Sequence, residues 1–202
     1  MKGRVCHMDD ARGLSVIELL VVIAVIAIIS VIALPQISSA RRQLRFGGVA
    51  REVMTQLRYA RQQAMSTRQA HTFRYDDQTK QITIINNGEV GVGNTSPDRI
   101  VRTVSLAVAG LSASEIIYGA LPNAPTTLPD GTSFTPLASG RVEIIFQPDG
   151  SVVNSAQLPI NYALFFYDQG YPTYTATAIS VLGAAGRVKI WRFDPNANAY
   201  KE

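Results

Sequence analysis

"ARGLSVIELLVVIAVIAIISVIALPQ", residues 11–36, is the stretch on which the fold turns. From Leu14 to Leu34 its only polar side chains are Ser15, Glu18 and Ser30. A helix of that length rises about 30 Å, which matches the hydrocarbon core of a bilayer. The expectation is a transmembrane helix over 14–35, with Glu18 as its anomaly. An ionised side chain in such a helix costs about 2.5–3.5 kcal/mol on insertion scales, less near the helix end, so it calls for a partner and a task. Lys2, Arg4 and Arg12 precede the run and hold the amino end in the cytoplasm, leaving everything past Pro35 outside. Arg41, Arg42 and Arg45 on the far side run against that bias.

A secretory signal peptide is the competing reading, with small residues at "SSA" (38–40) before Arg41 as its cleavage site. It leaves the acid unexplained. For Glu18 itself the plain alternative is a carboxylate reaching back to the headgroups.

The chain has 202 residues, 47% of them hydrophobic, so beyond the helix there is room for one domain with a real core and not for two. Its formal charge is +4, and removal of the first thirteen residues, with three basic and two acidic side chains, leaves +3. That mild balance does not by itself argue for nucleic acid. Cys6, the single cysteine, lies in the leading segment, so no disulfide framework is available. Past that segment the one histidine is His71, in the strand-like "AHTFRY", which gives no metal set, and no cofactor is expected.

After Pro35 the helical period resumes to about Arg68. On a helical wheel Phe46, Val49, Ala50, Val53, Leu57, Ala60 and Ala64 share an arc of roughly 100°, with Arg51 and Arg58 opposite. That is a packing stripe. Gly47 and Gly48 interrupt an otherwise good helix former. Beyond Thr72 the period becomes two. "HTFRY" and "KQITIIN" flank the turn "DDQT", where Asp76 and Asp77 read as turn formers, and make a hairpin; "RIVRTVSL", "RVEIIF", "YALFFY", "TATAISVL" and "RVKIWRF" supply further strands. Residues 107–140, rich in Ala, Ser, Thr and Pro, read as an irregular insertion with one short strand at most. "FQPDGSV" (146–152) places Pro148, Asp149 and Gly150 at a tight turn. The fold class is α+β: a long N-terminal helix, half transmembrane and half amphipathic, packed on a C-terminal β-rich domain. Its parts are a leader 1–13, the transmembrane helix 14–35, the amphipathic continuation 36–68 and the β-rich domain 69–202. No nucleophile elbow is present, the phosphate-loop candidate "GVGNTS" lacks its lysine, and no carboxylate pair has acid–base spacing, so the chain does not read as an enzyme.

The first stretch resembles the prepilin signature of type IV pilins and type II secretion pseudopilins: "RG", a hydroxyl, an acid, an unbroken apolar run and a proline, all in register. The resemblance implies cleavage between Gly13 and Leu14 by a prepilin peptidase and N-methylation of Leu14, where leucine replaces the usual phenylalanine. It makes Glu18 the assembly residue, pairing with the amino terminus of an adjacent subunit, and Pro35 the helix bend. Pairing suits the physics, because a lone buried charge is far costlier than a paired one, and correct stagger then becomes the favourable state. The strand pair after "LRYARQQAMSTRQ", the "F-x-PDG" turn and the final "GRVKIW" strand resemble the GspH/FimT group of minor pseudopilins and minor pilins, whereas residues 107–140 match no pattern of that group. The implied function is a non-enzymatic minor pseudopilin, a single-pass inner-membrane protein with a periplasmic domain, whose partners are other pseudopilins or pilins in a filament and the peptidase/methyltransferase. The alternative is a minor pilin of a type IV pilus that contacts DNA in uptake; a soluble binding protein with a signal peptide is third.

"GRVKIWRF" (186–193) bears on that alternative. Alternation puts Arg187, Lys189 and Trp191 on one face and Val188 and Ile190 on the other. Two cations beside an exposed indole would hold phosphates and stack a base. A solvent-facing strand whose apolar side fills the core is the simpler reading.

Overall fold

The described residues of the computed structural model are 15–88, 99–107, 111–154 and 156–202, excepting the side chains of 32–41. Helix α1 (Val16–Thr67) is continuous through Pro35, Gly47 and Gly48. The chain separates into two compact units, Met1–Ala40 and Arg41–Glu202, so the later half of α1 belongs with the β structure.

In the first unit the described side chains from Ser15 to Val31 are all exposed, Val16 at 82% and Val31 at 73%. Among the described residues no helix is long and apolar enough to cross a membrane. Within the expected crossing, the side chains from 32 to Pro35 and the whole of Leu14 lie outside the described residues.

In the second unit the seven residues of the helical stripe, Phe46 to Ala64, are all buried, and Arg51 and Arg58 are exposed. They join one core with side chains from two antiparallel sheets. The first sheet contains β1 (His71–Asp76), β2 (Gln81–Asn86), β3 (Arg99–Ser105) and β5 (Arg141–Phe146), in the order β3-β2-β1-β5. Its inner face carries Phe73, Tyr75, Ile82, Ile84, Val142 and Ile144. On its outer face Arg74 lies opposite Glu143 and Asp76 opposite Arg141, and both pairs close as ion pairs at 2.6 and 2.8 Å. This is the half-buried alternation that antiparallel strands favour. Asp76 also caps the hairpin turn, accepting the backbone N–H groups of Gln78 and Thr79.

The second sheet has the order β4-β6-β7-β8-β9, with β4 (Ile116–Tyr118), β6 (Tyr162–Asp168), β7 (Thr177–Leu182), β8 (Arg187–Asp194) and β9 (Ala199–Lys201). Between β6 and β7 a single helical turn, α2 (Pro172–Thr175), starts on a proline. Here both faces are buried. Leu164, Phe166, Ile179, Val181 and Val188 point to the main core, while Ala163, Phe165, Ala178, Trp191 and Tyr200 form a second one with Leu128. Leu128, Ala120 and Phe134 come from the 107–140 stretch, so the described part of that stretch is the cover of the sheet's far face. "GRVKIW" is not the final strand, since β9 pairs beyond it along Arg192–Asp194.

Candidate functional site: a basic groove and an apolar helix

Three segments meet at one end of the second unit. The "PDG" turn closes with the Gly150 N–H donating to the Gln147 carbonyl. Gly150 has φ +81°, and a Cβ there would stand 2.8 Å from the Met65 sulfur of α1. Gly186, with φ +56°, opens β8, and a Cβ on it would overlap the Gly150 carbonyl oxygen. Glycine is the residue that permits both backbones. Arg61 seals the contact by donating from Nε to the Gly150 carbonyl at 3.3 Å.

This close approach leaves an open groove of about 760 Å³ between α1 and β8. Arg58, Arg61 and Met65 line it from the helix, and Arg187, Lys189 and Ile190 from the strand, with Glu202 beside them. Glu202 Oε2 accepts from Lys189 Nζ at 2.6 Å, and the same ammonium lies 5.0 Å from the Trp191 ring. Among the described residues Glu202 is the one acid lining the groove against four cations.

Trp191 is not part of it. The indole is 5% exposed, in the second core, and its Nε1 donates to Ser180 Oγ at 2.9 Å. Ser180 in turn donates to Asp130 Oδ2 at 2.6 Å, so the strand is tied to the covering stretch by a buried chain of hydrogen bonds. The expected exposed indole that stacks a base is therefore corrected: Trp191 is covered within the second core by Leu128 and its neighbours, from a segment far away in sequence. Arg187 is exposed and Lys189 half-buried, as groove residues. Arg58, which the helical wheel set opposite the packing stripe, and Arg61 are the groove's other half; the signal available was their i, i+3 spacing with Met65 four residues further on.

Of the other site residues, Glu18 and Pro35 belong to α1. Glu18 sits exposed in the first turn, where a helix favours an acid. Cys6, Gly13, Leu14 and "GVGNTS" lie outside the described residues, as does the side chain of Pro35. His71 begins β1, 1% exposed, with Nδ1 donating to the Gln69 carbonyl at 3.0 Å.

The description "Type II transport protein GspH" matches residues 49–183, and "Prokaryotic N-terminal methylation motif" matches residues 8–34. No match was found among curated protein sequences. Among solved structures, the type IV minor pilin FimU of Pseudomonas aeruginosa shares 18% identity over 80% of this chain and 96% of its own, with a TM-score of 0.47. The minor pseudopilin EpsH of the type 2 secretion system of Vibrio cholerae shares 14% over 71% and 93%, with a TM-score of 0.41. The match over 49–183 takes in more than half of the 202 residues, and with it the helix stripe from Val49 onward, the hairpin and the "PDG" turn described above: the chain belongs to the GspH family of type II transport proteins.

Proposed function

We propose that this protein is a minor pseudopilin that enters the inner membrane through its first apolar stretch, is cut after Gly13, is methylated on Leu14 and joins a type II secretion pseudopilus through Glu18. The change of character along α1 carries this reading. From Ser15 to Val31 the described side chains are exposed on every side and apolar except Ser15, Glu18 and Ser30, and from Phe46 onward one stripe alone is buried. An all-round apolar helix needs either lipid or other helices around it. A filament of gathered helices supplies the second once the membrane has supplied the first. In that setting a Glu18 carboxylate is tolerable only beside a cation, and the free amino group of a neighbour's Leu14 is such a cation. Pro35 bends the helix in this scheme. The domain after the helix lies in the periplasm. It is a structural subunit without catalytic chemistry.

Intact-mass measurement of the protein recovered from membranes tests the processing. The expected chain begins at Leu14 and carries one methyl group, whereas a chain beginning at Arg41 means a signal peptide and overturns the filament reading. Glu18→Ala should insert as well as the parent or better and be depleted from sheared filament material. Normal incorporation of that variant removes the role assigned to Glu18, and recovery in surface pili in place of a secretion pseudopilus moves the protein to a type IV pilus.

A further inference from the structure

We infer that the groove between α1 and β8 receives an acidic polypeptide segment with apolar side chains between its carboxylates, presented by a neighbouring filament subunit. The source of the segment rests on the filament reading, and the groove rests on its own geometry. Arg58 and Arg187 are exposed, and among the described residues neither has an ion-pair partner. Arg61 spends Nε on a backbone carbonyl, and Lys189 shares the single carboxylate of Glu202. Four cations held on one rigid seam against one acid repel one another, and a ligand bearing carboxylates relieves that repulsion.

The floor narrows the ligand further. Met65 is 40% exposed, and Ile190 packs at the edge of the main core. A thioether beside an aliphatic side chain, rimmed by guanidinium groups, complements an apolar residue flanked by acids, and methionine adapts to more than one such residue. Glu202 already places a carboxylate in the groove, which shows how an acid is held there and marks it as an internal competitor. A nucleic acid fits less well. Its sugar–phosphate backbone brings no aliphatic side chain to Met65 and Ile190, and the buried Trp191 offers no stacking platform.

The test uses the full chain in detergent micelles and a fluorescein-labelled peptide of alternating aspartate and leucine, read by anisotropy. Saturable binding is expected. Because rim charges each contribute modestly, Arg58→Glu with Arg187→Glu should weaken binding about tenfold, and Arg99→Glu on β3, outside the groove, should leave it unchanged. Glu202→Gln should tighten binding, an outcome that loss of folding does not imitate. An oligoaspartate of equal charge should bind more weakly than the mixed peptide. Absence of binding, indifference to the double reversal, or equal binding of oligoaspartate overturns the inference. Tighter binding of duplex DNA, lost in the same double variant, hands the groove to nucleic acid and overturns it as well. A chain that is processed at Leu14 and enters filaments yet ignores the peptide defeats this inference alone. An unprocessed chain that binds the peptide defeats the filament reading alone.

Discussion

Trp191 is the only tryptophan in the chain, so its fluorescence reports on one site, and the structure makes that site dry. Its emission should be blue-shifted and poorly quenched by acrylamide in the folded protein. Trp191→Ala removes an aromatic side chain packed against Phe165 and Tyr200 in the second core, a truncation that costs about 3–5 kcal/mol. For a folding unit of this size each kcal/mol lowers the melting temperature by about 2–4 °C, so the loss should be about 6–20 °C. Trp191→Phe keeps a phenyl ring in the core but gives up the rest of the indole and the N–H donated to Ser180, whose hydroxyl still donates to Asp130. That variant should cost less than the alanine, about 1–2 kcal/mol, or about 2–8 °C. Near-ultraviolet circular dichroism of the full chain during heating measures both. Red-shifted, freely quenched emission together with a neutral Trp191→Ala would refute the buried-indole reasoning and restore an exposed aromatic on β8.

Gly186→Ala should destabilise by at least about 2 kcal/mol, because its φ of +56° costs about 1–2 kcal/mol for a non-glycine residue and the new Cβ must also push the Gly150 turn away. Gly131→Ala, at φ +80° with open space around it, carries only the conformational part; equal denaturation midpoints for the two variants would show that the helix–turn–strand seam is not crowded. Stability should also fall in acid. Asp76 is held below the usual carboxylate range by the Arg141 side chain, Asp149 by the Ser151 hydroxyl, Asp194 by Lys201 and Glu115 by the Ser112 backbone N–H. A depressed folded pKa contributes stability above the unfolded value of about 4 that is lost as the pH falls through the folded one, so melting temperatures should be level from neutrality to about pH 5 and decline below about pH 4. At the other extreme, burial pushes the Tyr200 phenol up to about 12, and Tyr75 and Tyr118 higher still. Their contribution is present below the ordinary tyrosine value of about 10 and is lost as the pH rises past it, and the phenolate absorbance of these three rings should appear together with unfolding.

The amphipathic half of α1 was legible residue by residue, because a helix with one buried stripe must repeat its apolar positions near a period of 3.6, and Phe46 to Ala64 do. The β1–β2 hairpin and the "PDG" turn were legible for a similar reason: Asp76, Asp149 and the glycines satisfy local backbone groups, and local geometry is written in neighbouring residues. β9 was not, since three residues at a sheet edge leave almost no periodic trace and owe their shape to pairing with β8.

The same limit governs the site. Alternation placed Arg187, Lys189 and Trp191 on one face of a strand, but a period of two says which side chains share a face and nothing of what covers it. The cover is Leu128 and Phe134, brought in from a stretch without a recognisable pattern. The near-continuous apolar runs of "YALFFY" and "TAISVL" were the available sign that this sheet is buried on both sides. The pairing of Arg58 and Arg61 with Arg187 had no such sign. More than 120 residues separate them along the chain, and what joins them is the contact of two glycine backbones, Gly150 and Gly186, with α1. Periodicity is a local property of the chain, whereas a groove between two elements exists only once the core has chosen which of their faces meet.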